Sequence, residues 1–364
     1  MNTDLGQPSA PYEFLSPTSF DSMRACRLRA AYAKMSHPQH GRRQSPAQRL
    51  GNVCHRVLAK MVVEGNFMSE SWQTRLYETW DEEVVSEMSA VVHAGDSPQT
   101  SEVPERWPGY EVKRARLRYV GQRVRDLLLE LPAGATVLPE VPLEGYERRL
   151  RGIADLVLRS QGAHRVVDYK TGGVLDGTTQ LPREKYVRQL QMYAALEAES
   201  SGEWPDTLHL LPLRGAPVEI AVDPVECADL AVEALELLSA YNAMCPERQP
   251  ASPGQDTCST CPFSARCPDF WESCESWSGD FLAVRGRAVR TMSTELNGIS
   301  VELAETSGTV PHELVLLRNI DPEVHPAARD AVVGTVVAAT GLWEEKTRGT
   351  YRVPPWGHLE CIEE

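Results

Sequence analysis

Two short β-branched stretches near the middle of the chain, RRLRGIADLVLRS (148–160) and RVVDYKT (165–171), each carry an acid inside a run that otherwise reads as core strand. In the second, Asp168 and Lys170 are two residues apart, so a strand puts both side chains on one face. A hairpin between the two stretches brings Asp155 and Asp168 around one point. A carboxylate binds a hard cation through oxygen. A lysine beside it can steady an attacking hydroxide or offset charge that develops on phosphorus. A single Asp-x-Lys is more often a strand-end ion pair. The larger pattern is more specific: Gly152-x-x-Asp155, then Asp168-Tyr169-Lys170-Thr171-Gly172, then a helix carrying Gln189 and Tyr193.

Upstream the chain reads as helical. Residues 1–16 are rich in Pro and Ser without periodicity and read as a loose tail. A helix is expected from Pro17, capped by Thr18 or Ser19, and a second over 48–63 after a Pro- and Gly-containing loop at 37–48. Segment 70–92 sets Trp72, Leu76, Trp80, Val84, Met88 and Val91 on one stripe, and 110–131 does the same with Val112, Ala115, Val120, Val124 and Leu127. TVLPEVPL (136–143) adds a strand before the central pair. Helices at 183–199 and 225–243 follow, with TLHLLPL (207–213) between them as another strand. Helices flanking a small mixed sheet give an α/β class. Residues 278–364 read as five short strands with one helix near 325–331, which suits a small β-barrel such as an OB-fold.

The carboxylate–lysine pattern resembles the PD-(D/E)XK (restriction-endonuclease-like) nuclease superfamily. Within it, the likeness is to the RecB-type exonuclease branch, which includes the nuclease domains of bacterial recombination helicase–nucleases and the CRISPR-adaptation exonucleases. The resemblance spans residues 15–272. It implies that Asp155 and Asp168 hold Mg²⁺ or Mn²⁺, that the backbone carbonyl of Tyr169 is a further ligand, and that Lys170 is the catalytic lysine. Gly51-Asn52-Val53-Cys54-His55 matches an upstream Gly-x-x-x-His motif of the family, so His55 would complete the metal site. Glu140 in LPEVPLEG is the candidate for an additional acid on the preceding strand. Gln189 and Tyr193, one helical turn apart, would brace the lysine and contact the DNA backbone.

The nine cysteines are an odd set, at 26, 54, 227, 245, 258, 261, 267, 274 and 361, which fits metal binding better than a disulfide framework. Spacing alone leans to a local zinc site on Cys258, Cys261, Cys267 and Cys274. The resemblance implies instead a structural [4Fe–4S] cluster on Cys26, Cys258, Cys261 and Cys267, because iron–sulfur members pair an N-terminal cysteine with a late Cys-x2-Cys-x5-Cys. Cys54, Cys227, Cys245 and Cys361 read as small buried hydrophobes. Residues 17–275 would then form the iron–sulfur nuclease domain, and 278–364 the β-domain.

The formal charge of −14 speaks mildly against a nucleic-acid partner, but its distribution does not. Residues 22–63 contain Arg24, Arg27, Arg29, Lys34, Arg42, Arg43, Arg49, Arg56 and Lys60 and no acid; a second cluster holds Lys113, Arg114, Arg116, Arg118, Arg123 and Arg125. These are either solvated helix faces or the path of a DNA strand. The expected function is a metal-dependent deoxyribonuclease, an exonuclease on single-stranded DNA or unwound duplex ends, in DNA repair, CRISPR or antiphage defence. The alternative is a catalytically inactive DNA-binding or scaffold subunit of a helicase-containing complex. No G-x-x-x-x-G-K-[ST] motif occurs, so a motor would be a separate chain. The β-domain holds 8 basic and 13 acidic residues, a poor balance for gripping a strand. Without a long apolar run or a basic-then-apolar leader, a cytoplasmic location is expected.

Overall fold

The central strands are buried on both faces, so alternation decides only which face of the sheet each core side chain joins. The computed structural model describes residues 11–35, 46–93, 104, 107, 109–293, 298–310 and 312–362. The chain divides into two units: Pro11–Asp21 with Pro38–Ala243, and Ser22–His37 with Met244–Glu364. The helices before the first sheet are α1 (Pro17–Ala25), α2 (Arg27–Met35), α3 (Pro46–Val63), α4 (Trp72–His93) and α5 (Tyr110–Leu129).

In the first unit, β1 (Thr136–Gly145), β2 (Leu150–Arg159), β3 (Arg165–Gly173), β4 (Thr207–Arg214) and β5 (Val218–Ala221) form one sheet in that order. All neighbours pair antiparallel except β3 and β4, which run parallel. A parallel step needs a crossover, and α6 (Glu184–Ser201) supplies it; α7 (Pro224–Asn242) follows β5. Asp223 begins α7 by accepting the Val225 and Glu226 N–H groups, with Pro224 in the first turn. Leu156, Leu158, Val167, Tyr169, Leu211 and Leu213 point to one face, where Val53, Val57, Leu76, Trp80, Val120 and Val124 of α3, α4 and α5 cover them. The stripe read in 70–92 is thus a core stripe, with Trp72, Leu76, Trp80 and Val84 buried; the Val91 side chain lies outside the described residues.

The tail expected at 1–16 is tied down at its end. Leu15 is fully buried and makes a parallel bridge to Leu150, giving its N–H to the Arg149 carbonyl and accepting from Arg151. Residues 1–10 lie outside the described ones. The cap of α1 is Ser16 rather than Thr18 or Ser19: the Ser19 hydroxyl takes the Ser16 N–H and the Ser16 hydroxyl takes the Ser19 N–H, a reciprocal pair.

In the second unit, β6 (Leu282–Ser293), β7 (Ile299–Gly308), β8 (Leu314–Ile320), β9 (Val336–Glu344), β10 (Thr350–Arg352) and β11 (His358–Ile362) lie in the order β10-β8-β7-β6-β9-β11. β10 pairs parallel to β8 and antiparallel to β9, so β6, β7, β8, β10 and β9 close a ring. Val284, Val301, Leu303, Val315, Leu317 and Val337 fill it. Gly286 stands at a bulge in β6, where a Cβ would lie 2.8 Å from the Ala304 carbonyl, so the bend has room only for glycine. The helix expected at 325–331 is a 3-10 turn, Pro326–Asp330. Two short strands, β5 and β11, were not expected.

Contacts group the residues on both sides of 275–278, where the sequence texture changes, into the second unit. α8 (Gln255–Ser259) and α9 (Pro268–Cys274) belong with the barrel because Cys258, Ala265, Phe270, Trp271 and Cys274 share an apolar cluster with Ala283 of β6 and Ala338 of β9. A boundary read from local composition cannot register such long-range packing.

Glu197 on α6 is fully buried and takes two hydrogen bonds from Arg159, at 2.6 and 2.9 Å, with His164 Nε2 at 2.9 Å. Burial raises its pKa, but the bonds from His164 and Arg159 outweigh that and leave it lowered. Its stabilising contribution is therefore complete above the ordinary carboxylate value of 4.5 and is lost as pH falls through the lower folded value. Glu197→Ala is expected to cost about 3 kcal/mol in urea unfolding at pH 7. The gap to the parent should narrow at pH 3.

Candidate active site

His55 sits one turn after Gly51 on α3, and a Cβ at Gly51 would stand 3.5 Å from the Thr171 hydroxyl of β3, in ordinary van der Waals contact. His55 Nδ1 lies 2.8 Å from Asp155 Oδ1, while Asp155 Oδ2 accepts the Tyr169 backbone N–H at 2.6 Å. Lys170 pairs with Asp168 Oδ2 and donates a hydrogen bond to Gln189 Oε1 at 2.8 Å. Gln189 Nε2 in turn donates to the Tyr193 hydroxyl at 3.3 Å. Glu140 stands on β1 between Pro139 and Val141, which pair with Leu156 and Ala154 and leave it beside Asp155. Its φ of 49° is left-handed, a conformation a non-glycine residue adopts at a cost of about 1 kcal/mol or more.

The electrostatics follow from burial. Asp168 is 2% exposed, and burial pushes its pKa up to about 6 against the lowering effect of Lys170. Burial lowers His55, but the hydrogen bond and charge of Asp155 prevail and leave it raised. Glu140 is raised by burial and by Asp155. Three acids and one lysine therefore crowd a space with a deficit of positive charge. His55, Glu140 and Asp155 offer donor atoms within 4.8 Å of one another, the one such group among the described residues. Asp168 Oδ2 is buried against the Lys170 ammonium. Carboxylate oxygens with one imidazole fit a divalent cation.

A family model for the PD-(D/E)XK nuclease superfamily matches residues 14–268. The chain belongs to that superfamily. No curated protein matches it. Among solved structures it is similar to a candidate exonuclease from Eubacterium rectale, with 11% identity over 64% of this chain and 82% of the other and a TM-score of 0.39. It is also similar to a protein named SSO0001, at 17% identity over 60% of this chain and 95% of the other with a TM-score of 0.27.

Measured against the pattern expected of a PD-(D/E)XK nuclease, the first unit brings His55, Asp155, Asp168, Lys170 and Gln189 together. It differs in three respects. Glu140 joins the tight donor group, whereas Asp168 is drawn to Lys170 and lies outside it. Tyr193 is buried against Gly152, so it braces Gln189 from behind and does not present itself to a DNA backbone. Three residues of the basic stretch pair with acids of α4: Arg49 with Glu87 at 3.1 Å, Arg56 with Glu83 and Glu87 at 2.8 and 2.9 Å, Lys60 with Glu82 at 2.7 Å. Lys113 donates to the Ala47 carbonyl and Arg114 meets Asp81. The acids of α4 take these charges, which the one-dimensional reading of α3 alone could not show. Arg42 and Arg43 lie outside the described residues. Tyr186, whose ring lies 5.1 Å from Lys170 Nζ, was missed, since an aromatic at the start of a helix carries no distinct signal. No described helix is long and apolar enough to cross a membrane.

In the second unit, Cys26, Cys258, Cys261 and Cys267 line one small cavity with Arg29 and Tyr32. Burial raises the Cys258 thiol and pushes that of Cys267 up to about 12, so deprotonation there calls for a cation. No three of these sulfurs fall within 4.8 Å of one another, since His55, Glu140 and Asp155 are the one group that close among the described residues. A tetrahedral zinc with bonds of 2.3 Å needs sulfurs about 3.8 Å apart. Cys274 does not line the cavity; it is buried among Phe270 and Trp271, its thiol toward the Trp271 carbonyl. Of the four cysteines expected to be small core residues, Cys54 and Cys227 are buried, Cys361 is half-buried, and Cys245 is exposed where a 3-10 turn begins.

Gly152 fixes the bracing of the lysine, because a Cβ there would stand 2.7 Å from the Tyr193 ring and 3.2 Å from Pro17. Gly152→Ala is expected to lower stability by about 1–3 kcal/mol by thermal melting. Gly152→Ala combined with Tyr193→Ala should lose less than the sum of the two single losses, because the ring that clashes is gone.

Proposed function

We propose that this chain is a divalent-metal-dependent deoxyribonuclease that trims single-stranded or unwound DNA from an end, in repair, CRISPR or antiphage defence. The observation that carries the proposal is the Lys170 ammonium held between Asp168 and Gln189 beside His55, Glu140 and Asp155. A scaffold has no physical need for a buried carboxylate of raised pKa next to a positioned lysine.

His55, Asp155 and Asp168, with Glu140 and the Tyr169 carbonyl, would hold Mg²⁺ or Mn²⁺. A bound divalent cation supplies a Lewis acid to the scissile phosphate. Lys170, steered by Gln189, places its ammonium where the attacking oxygen and the developing negative charge meet, and the Tyr186 ring limits its swing. Tyr193 holds Gln189 in register.

Cys26, Cys258, Cys261 and Cys267 would hold a [4Fe–4S] cluster of structural role. Their shared cavity, the wide sulfur spacing and the withdrawal of Cys274 into the core all support the cluster over zinc. The strand ring of the second unit, in which the third strand pairs parallel to the fifth, supports an OB-type barrel. A helicase, if one takes part, would be a separate chain.

Asp168→Ala and Lys170→Ala are each expected to lower Mn²⁺-dependent cleavage of an end-labelled oligonucleotide by about 10³-fold with the fold intact by circular dichroism. Undiminished cleavage in both variants would overturn the proposal. Protein purified without oxygen should carry iron and absorb broadly in the visible. Cys26→Ala should lose both, while Cys274→Ala keeps both; one zinc per chain in place of iron would refute the cluster.

A further inference from the structure

The larger open cavities of the first unit include one that the catalytic residues do not touch. It lies between α5 and the turn joining β4 to β5, has a volume of about 500 Å³, and is lined by Arg116, Tyr119, Gln122, Arg123, Arg214 and the backbone of Gly215. Three arginines from two separate elements converge there, although their sequence positions are more than ninety residues apart at the extreme. The arginines of α3 spend their charge on α4, whereas these do not. Arg116 and Arg214 have no carboxylate partner among the described residues, and Arg123 has only Asp126, at 3.9 Å on an exposed surface. Such a pair contributes little and is readily exchanged for another anion.

The floor of the cavity is β4, the strand beside that of the lysine. Pro212, in its lining, is the register partner of Lys170, and Arg214 is the partner of Gly173. Leu211 and Leu213 turn with Tyr169 to the α5 face, where the groove lies, while Lys170 turns to Gln189 of α6 on the other face of the sheet. Gly215 has φ +104° and open space where a Cβ would stand, so the turn brings bare backbone to the mouth. Tyr119 is 59% exposed, with the Arg118 guanidinium over its ring at 4.9 Å. It offers a face on which a base can stack.

We propose that this groove binds the phosphodiester backbone of a single DNA strand on the sheet face opposite the catalytic lysine, with Arg116, Arg123 and Arg214 on successive phosphates and Tyr119 against a base. The inference rests on the nuclease reading and names the path of its substrate. Guanidinium forks match phosphate oxygens. Cavities of about 300–1,000 Å³ enclose one small ligand, a size that suits unpaired nucleotides and not a duplex. Stacking with backbone neutralisation is how single strands are held without sequence preference.

The test uses the full chain, a fluorescein-labelled fifteen-nucleotide oligothymidylate and anisotropy in Ca²⁺ over a range of salt. Each phosphate of a single strand that goes without its cationic side chain flattens the logarithmic salt slope by about 0.7. The triple variant Arg116→Ala, Arg123→Ala, Arg214→Ala should therefore flatten it by about 2 and weaken binding at least about tenfold at low salt. Arg125→Ala, on the same helix but outside the lining, should bind as the parent does. Tyr119→Ala should weaken binding with the salt slope unchanged. If the parent binds and cleaves while the triple variant binds equally well with the same slope, the groove is not the path and the nuclease reading stands. If the variant loses affinity for a blunt duplex but not for the single strand, the assignment to an unpaired strand is wrong. A parent that neither binds nor cleaves the oligonucleotide overturns both readings.

Discussion

Where β2 and β3 part, two carboxylates would face each other. The regular ladder runs Leu158 to Arg165, Val157 to Val166 and Leu156 to Val167, and the next rung would set Asp155 opposite Asp168. Like charges directly opposite are unfavourable in a sheet, so the ladder stops. Asp155 replaces the missing rung by accepting the Tyr169 N–H through its side chain, and Asp168 turns to Lys170. The rest of the site follows from that opening. His55 reaches in from α3, Glu140 closes from β1 at the expense of a left-handed φ, and Gln189 reaches over from α6 to hold the lysine.

The residues of the site were legible because their signal is local. Asp168 and Lys170 are separated by one strand period, His55 stands four residues after Gly51, and Gln189 and Tyr193 lie one turn apart. The short β-branched runs at 148–160 and 165–171 likewise announced the sheet. Features set by partners far along the chain were not legible. The pairing of Arg49, Arg56 and Lys60 with the acids of α4 draws on a stretch that the sequence left open as solvated helix faces or a DNA path. β5 and β11 are short and half-exposed, and each exists because a longer neighbour offers an edge.

The division of the chain shows the same limit. Cysteine spacing marked residues 258–267 as a metal-binding loop and the β-rich tail as something separate. Apolar packing joins them: Phe270 and Trp271 cover Ala283 and Ala338 of the barrel wall, so the loop and the barrel form one body. Leu28 gives its N–H to the Pro250 carbonyl, which gathers α2 into that body as well. The chain therefore contributes to the barrel unit early, leaves it to build the whole nuclease sheet, and returns.

That itinerary has a consequence for how the protein is made. Cys26 precedes Cys258 by 232 positions, yet both line one cavity. At about 5–20 residues per second on the ribosome, Cys26 emerges roughly 10–50 s before the cysteines it faces exist. Throughout that interval its thiol has no cavity to occupy, while the intervening segment is free to collapse around its own sheet. The nuclease unit is thus completed first in time, and the barrel unit is assembled only once the ribosome has delivered β11.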